Sequence, residues 1–339
     1  MIGIGDITNA KLKVGDVDVL AAYVGDIKVY GSNGGSDVDY SQQYLTFNVL
    51  DDNGATFYWY DNDVNNNEVE YSTDNGTTWT TLIPNYQTES FPKGTKVMWR
   101  GDCIPSPKQE GGGAHYYGGI GYFEGDGEWS VEGNPMSLLD STGFRTLTVL
   151  PNYAFTYLFS PLEGAVADYA RGYEYKLVDI TNISLVATTM TPSCYEGMFR
   201  GTGIRSIPND LLPATTLADY CYRGMFNHCE YLEDVSNLVL PATTLAQYCY
   251  YTMFYGCVRI TTAPVLPATT LVAQCYGRMF RNCTNLNYIK CLATDISASQ
   301  CTAIWTEFVS LTGTFVAANG TSWSRGTSGI PTNWTVQYV

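Results

Sequence analysis

The sequence predicts a mainly β N-terminal region, folded as a β-sandwich, followed by an α/β repeat solenoid with a C-terminal β-cap. Three observations carry this. Short segments between residues 38 and 150 alternate apolar and polar residues, the pattern of strands with one buried face. From about residue 180, Ala-Thr-Thr recurs at 187–189, 214–216, 242–244 and 268–270, and Met-Phe at 198–199, 225–226, 253–254 and 279–280. Both markers are spaced 27, 28 and 26 residues apart, and two independent markers sharing one irregular period mark a true repeat. A charged fraction of 15% with 27 tyrosines also suits sheets and regular repeats better than free helical bundles.

In chain order, residues 1–30 read as an anchor or oligomerisation segment. Val14-Gly15-Asp16 recurs as Val24-Gly25-Asp26, each followed by alternating apolar residues, Val17 and Val19, then Ile27 and Val29. Gly-Asp before such runs predicts short strands joined by tight turns. So short a piece buries too little to stand alone. It is expected to dock on a partner or to oligomerise, with Val14, Val24, Val29 and Tyr30 as anchoring residues. Gly31-Ser32-Asn33-Gly34-Gly35-Ser36 makes 31–37 a flexible linker by composition. In the sandwich, 38–150, strands are predicted at Tyr44–Leu50, Thr56–Tyr60, Val69–Ser72 and Lys96–Arg100. Asn75-Gly76 is a hairpin turn, because both residues accept positive φ, and Trp79 opens the return strand. Gly111-Gly112-Gly113 is expected in a loop.

The solenoid, 151–310, is built from one unit repeated. Leu217, Cys221, Tyr222, Met225, Phe226 and Cys229 stand at offsets 0, 4, 5, 8, 9 and 12, which predicts one face of a helix. Thr215 or Thr216 would cap its start. Its end would fall two residues after the Phe, at Gly201, His228, Gly256 and Asn282, where Gly and Asn accept the left-handed conformation. A brief extended run such as Leu238-Val239-Leu240 completes the unit, and units must stack to bury their apolar stripes. Phe155–Phe159 reads as a degenerate first unit, and Cys301 and Trp305 take the places of Cys275 and Met279 in a last one. Trp323 and Trp334, with Gly329-Ile330-Pro331, predict the β-cap at 311–339.

The repeat Leu-Pro-Ala-Thr-Thr-Leu…Cys-Tyr…Met-Phe…Cys resembles the BspA-like leucine-rich repeats of gut Bacteroidales and their phages. The tail Thr312-Gly-Thr-Phe315…Trp323…Gly329-Ile-Pro331…Trp334-Thr-Val336 resembles the usual C-terminal end of such proteins. Val69–Trp79, with Val131-Glu-Gly-Asn134…Met136-Ser-Leu-Leu139, is similar to the β-domain that often precedes these repeats. Val24-Gly25-Asp26…Val29-Tyr30 is similar to N-termini of virion proteins from Bacteroides phages, crAss-like ones included. The resemblance implies a leucine-rich-repeat solenoid, surface display and binding, with no catalytic residues.

Composition narrows the function. A net charge of −15 disfavours nucleic acid and anionic lipid as partners, and no stretch approaches 18 apolar residues, so no membrane insertion is expected. The N-terminus shows no basic region followed by an apolar run, so no secretory signal is read there. Eight of the ten cysteines follow the repeat, and no Cys-x-x-Cys occurs. Free, buried thiols are expected, with Cys103 and Cys291 left open. His115 and His228 have no local partner of a triad or metal pattern. Asp61-Asn-Asp-Val-Asn65 lacks the glycine and glutamate of a calcium loop, having Asn66 and Ser72 at those places. Glu124, Asp126, Glu128 and Glu132 cluster around turn glycines. No catalytic, cofactor or metal residue is assigned, and no enzyme is expected.

Tyr195, Tyr222, Tyr250 and Tyr276 recur in every unit and read as core. Arg223, Tyr251, Tyr255, Arg259, Arg278 and Arg281 vary between units, and a solenoid varies its recognition surface there. The expected function is a phage virion component, such as a head or tail fibre or decoration protein. Residues 1–30 would contact other virion proteins and favour a homo-oligomer, while the repeats bind a host-surface protein or glycan. The alternative is a bacterial cell-surface adhesin of the same architecture, and a carbohydrate-active enzyme ranks behind both.

Overall fold

The computed structural model describes residues 39–61, 65–107, 118–161 and 175–339, together with the backbone of short strands between residues 13 and 30. The chain divides into two compact units, Met1–Asp39 and Tyr40–Val339. In the first, β1 (Lys13–Val14) pairs antiparallel with β2 (Val17–Asp18), and β3 (Ala22–Val24) with β4 (Ile27–Tyr30). The registers bring Val14 opposite Val17 and Val24 opposite Ile27; the Gly15-Asp16 and Gly25-Asp26 dipeptides expected as turns lie outside the described residues. The expected anchoring residues fall on β1 (Val14), β3 (Val24) and β4 (Val29, Tyr30). The expected linker, 31–37, lies outside the described residues, as do Gly111–Gly113 and His115.

The second unit begins with two packed sheets. The strands are β5 (Leu45–Val49), β6 (Phe57–Tyr60), β7 (Val69–Ser72), β8 (Thr80–Leu82), β9 (Tyr86–Gln87), β10 (Lys96–Gly101), β11 (Tyr122–Gly125), β12 (Trp129–Gly133) and β13 (Leu177–Ile183). Six form one sheet in the order β13-β12-β5-β10-β7-β8, and three form another in the order β11-β6-β9. Alternation along each strand sends one set of side chains inward. Phe47, Val97, Trp99, Val131 and Trp129 from the larger sheet meet Phe57, Trp59 and Phe123 from the smaller, all buried. Phe47 is the hub, with ring centroids 4.5 Å from Trp129, 4.9 Å from Phe123 and 5.1 Å from both Phe57 and Trp99. At the β7–β8 hairpin, Asn75 and Gly76 adopt φ of 60° and 81°, as the turn requires.

The edge strand β13 comes from beyond residue 150 and pairs parallel with β12, whereas the other pairings of this sheet are antiparallel. Phe159, from the first repeat unit, lies 6.0 Å from both Phe47 and Trp129. Sandwich and repeats therefore share one continuous core.

The repeats correct the helical expectation. No α-helix occurs among the described residues. Each unit instead carries a ribbon of successive β-turns, at 192–201, 219–228, 247–256, 273–282 and 299–308, with an abbreviated one at 152–159. Along a ribbon the amides alternate. In the 219–228 ribbon, Arg223, Met225 and Asn227 donate to the carbonyls of Tyr220, Tyr222 and Gly224 three residues back. Tyr222, Gly224, Phe226 and His228 donate to Cys249, Tyr251, Met253 and Tyr255 of the next coil. Every fourth residue is left-handed: Tyr220, Gly224 and His228 here, then Tyr248, Thr252 and Gly256, then Gln274, Arg278 and Asn282. The predicted helix ends at Gly201, His228, Gly256 and Asn282 do have positive φ, but as the third left-handed rung of a ribbon.

The physical reason lies in the spacing. Four residues on an α-helix turn about 400°, so offsets of 4, 8 and 12 drift about 120° off the stripe. A ribbon of turns repeats every four residues without drift. Cys221-Tyr222 and Met225-Phe226 point inward, while Arg223 and the pair Asn227-His228 point outward. The Thr of Ala-Thr-Thr caps no helix. Thr189, Thr216 and Thr244 form parallel β-bridges from coil to coil.

Stacking aligns the inward residues in columns. Phe159, Phe199, Phe226, Phe254 and Phe280 stack at 5.5, 5.8, 5.6 and 5.9 Å. Phe155, Tyr195, Tyr222, Tyr250 and Tyr276 stack at 5.8, 6.0, 5.8 and 5.9 Å. Both columns meet Trp305, as expected of the first and last units. The sheet of β14 (Tyr288–Cys291), β15 (Thr314–Ala317) and β16 (Thr335–Tyr338) is parallel throughout. Trp323 stacks on Trp305 at 5.6 Å, Trp305 Nε1 donates to the Gly329 carbonyl, and Trp334 Nε1 donates to that of Ser310, closing the last coil.

All ten cysteines are free and buried. The thiols of Cys229, Cys257 and Cys283 donate to the carbonyls of Phe199, Phe226 and Phe254 in the preceding coil, at 3.1, 3.1 and 2.9 Å. Burial pushes the Cys194 thiol up to about 11 and that of Cys229 to about 12.

Candidate binding face

The outward residues of the ribbons line up from coil to coil and make a continuous face. Five of the six sequence-predicted residues lie on it. The Arg223 guanidinium lies 5.6 Å from the Tyr220 ring and 5.7 Å from the Tyr251 ring, and that of Arg278 lies 5.8 Å from Tyr251. Tyr251 thus receives one cation from the coil before it and one from the coil after. Its ring lies over Gly277, where a Cβ would stand 2.8 Å from Tyr251 Cδ2. Tyr248 packs edge-on to Tyr251 at 5.3 Å and stacks on Tyr220 at 4.8 Å.

A second group sits at the far edge of the ribbons. Arg281 lies 5.7 Å from Tyr255 and donates from Nε to Glu307 at 2.5 Å. Asn282 Nδ2 donates to the Tyr255 hydroxyl at 3.2 Å, and His228 flanks the same ring at 5.2 Å. Phe308, 62% exposed, ends this row. Arg259 does not join either group. It lies in the run connecting two ribbons, 4.8 Å from the Tyr231 ring and 3.4 Å from Glu233.

Charge is unevenly compensated. Arg223 pairs with the buried Glu196 at 3.3 Å and Arg281 with Glu307. Arg278 is exposed and has no carboxylate within ion-pair distance among the described residues. Partial burial, then the neighbouring Tyr248, raises the Tyr220 hydroxyl. Burial, then nearby Arg200, lowers His228, which favours the neutral imidazole at pH 7. Half-exposed rings beside guanidinium groups offer flat apolar contact and fixed donors, which suits binding.

Glu196, Tyr220, Tyr248 and Phe308 escaped the sequence reading. Glu196, Arg223 and Tyr251 share one column, and aligning the copies outward of Cys-Tyr would have exposed it. The carboxylates that cluster in sequence face different surroundings. Asp126 accepts the Thr56 amide at 2.6 Å, Glu132 pairs with Lys96 at 2.6 Å, and Glu124 is buried on β11. Asp61 accepts the Asn67 amide at 2.6 Å. Among the described residues no group of three His, Cys, Asp or Glu could hold a metal ion, and no helix is long and apolar enough to cross a membrane. No family model matches the chain, and comparison with curated proteins and with solved structures gives no match.

Proposed function

We propose that this chain is a non-enzymatic binding protein of a phage virion, a head or tail fibre or decoration protein, displaying BspA-like leucine-rich repeats to a host-surface protein or glycan. The observation that carries the reading is Tyr251 held between Arg223 and Arg278 on a frame whose buried columns hardly change. Tyr and Arg concentrate binding energy where rigid neighbours hold them. The virion assignment rests on the sequence resemblance, with the separate unit Met1–Asp39 as the anchor. Several copies per particle would raise the effective concentration of a weak site.

The test is binding of the full chain to host envelope protein and glycan fractions. Tyr251→Ala and Arg278→Ala each should weaken binding about tenfold or more, in line with hot-spot truncation. Undiminished binding by the double variant would sink the reading. Recovery of the chain with purified particles supports the virion assignment, whereas recovery with the bacterial envelope supports the adhesin alternative.

A further inference from the structure

The outer face of the six-stranded sheet should be its wet side, yet several of its polar residues are buried. Thr46 on β5 is 4% exposed, Ser72 on β7 2% and Glu132 on β12 8%. They stand in one cross-strand row, because Thr46 pairs with Glu132 and with Met98, and Met98 with Ser72. The residues before β5, the β7–β8 turn and the segment around Arg145 rise around this row. They leave a hollow of about 830 Å³, lined by Gln42, Gln43, Tyr44, Asn75, Lys96 and Arg145 among others. Sites for small ligands span about 300–1,000 Å³.

We infer that this hollow is a second binding site, independent of the coil face, for an oligosaccharide bearing carboxylate groups. Its walls offer side-chain amides (Gln42, Gln43, Asn75) and the hydroxyls of Thr73 and Thr95, the partners that sugar hydroxyls need. Tyr44 supplies the aromatic surface, held by Trp79 at 5.1 Å and Phe144 at 4.9 Å. The charge decides the class. Lys96 is neutralised by Glu132 at 2.6 Å. Arg145 has no carboxylate within ion-pair distance among the described residues; its Nε donates to the Gln42 carbonyl at 2.8 Å, over the rings of Tyr44 and Phe144. Its terminal nitrogens keep the planar fork that grips a carboxylate in two places. The lining therefore carries one cation more than it has carboxylates, on a chain of net charge −15. One unpaired cation is too few for a nucleic acid backbone, and a polar hollow without an open sheet edge fits an extended peptide poorly.

The experiment titrates the full chain with tetragalacturonate and with the neutral galactose tetramer, by calorimetry and by the change in total tryptophan fluorescence, to which Trp79 beside Tyr44 contributes. The acidic sugar should bind more tightly, and more weakly as salt is added. Arg145→Ala should weaken it about 10- to 100-fold, the worth of a charged hydrogen-bond pair. Asn75→Gly, which keeps the left-handed turn, should weaken it less, and Arg278→Ala should leave it unchanged. Thermal melts of each variant separate lost binding from lost folding. Equal affinity for both sugars, binding of neither, or a loss caused by Arg278→Ala instead of Arg145→Ala would overturn the inference.

Discussion

Gly224 is left-handed, with φ of 59°, yet an added Cβ would meet nothing nearer than the Thr252 hydroxyl at 3.4 Å. Its replacement therefore isolates the cost of the backbone. Gly224→Ala should lower stability by about 1–2 kcal/mol, read from urea melts, with little effect on packing. Gly277 is the opposite case: its φ is not positive, but Tyr251 lies against it. Gly277→Ala should displace the Tyr251 ring and weaken ligand binding more than it lowers the melting temperature. At this scale the face was half legible. Arg223, Tyr251, Tyr255, Arg278 and Arg281 stand out because they break a repeating frame. Tyr220 and Tyr248 did not, because each precedes a Cys-Tyr that repeats and so draws the eye to the core. Arg259 breaks the frame too, but it belongs to a connecting run, and repetition alone does not say which surface a residue is on.

For the elements, the strands β5, β6, β7 and β10 follow from alternation within a residue of their observed ends. The hairpin at Asn75-Gly76 follows from backbone freedom. The coil units were legible as repeats, with their first and last members, but their local conformation was not. An apolar spacing of four resembles a helix over two turns, and the absence of the drift that a helix needs was the overlooked signal. The far-UV circular dichroism spectrum should accordingly lack helical minima. Phe254→Ala should cost about 3–5 kcal/mol, since it removes the middle ring of a stack 5.6 and 5.9 Å from its neighbours. Edge strand β13 was not foreseen, because its partner β12 is distant in sequence and pairing partners are not written in composition.

On the scale of the whole unit, the buried thiols link stability to pH. Unfolded thiols ionise near 9, whereas burial holds Cys194 near 11 and Cys229, Cys249 and Cys291 near 12. The folded chain keeps protons that the unfolded chain loses, so the stabilisation is full below pH 9 and is lost as pH rises from 9 to 12. Each such thiol contributes a slope of up to about 1.4 kcal/mol per pH unit. Melting temperatures should be flat from pH 7 to 8 and fall steeply above 9. A disulfide reagent at pH 8 should find no reactive thiol in the folded protein and all ten after denaturation.

The alternating amides of the ribbon also dictate where coils can change length. One extra residue within a ribbon would reverse the parity of every rung after it, turning core side chains to water and aiming ladder amides at the wrong coil. From the Ala of Ala-Thr-Thr to the residue at Thr202, Cys229, Cys257 or Cys283, every copy spans 15 positions. The runs that follow take 12, 13 and 11. An alanine inserted after Asn237 should be absorbed, and the same alanine after Arg223 should unzip the stack. Changes in coil length therefore have their outlet in the connecting runs, where neither the ladder nor the inward columns depend on the count.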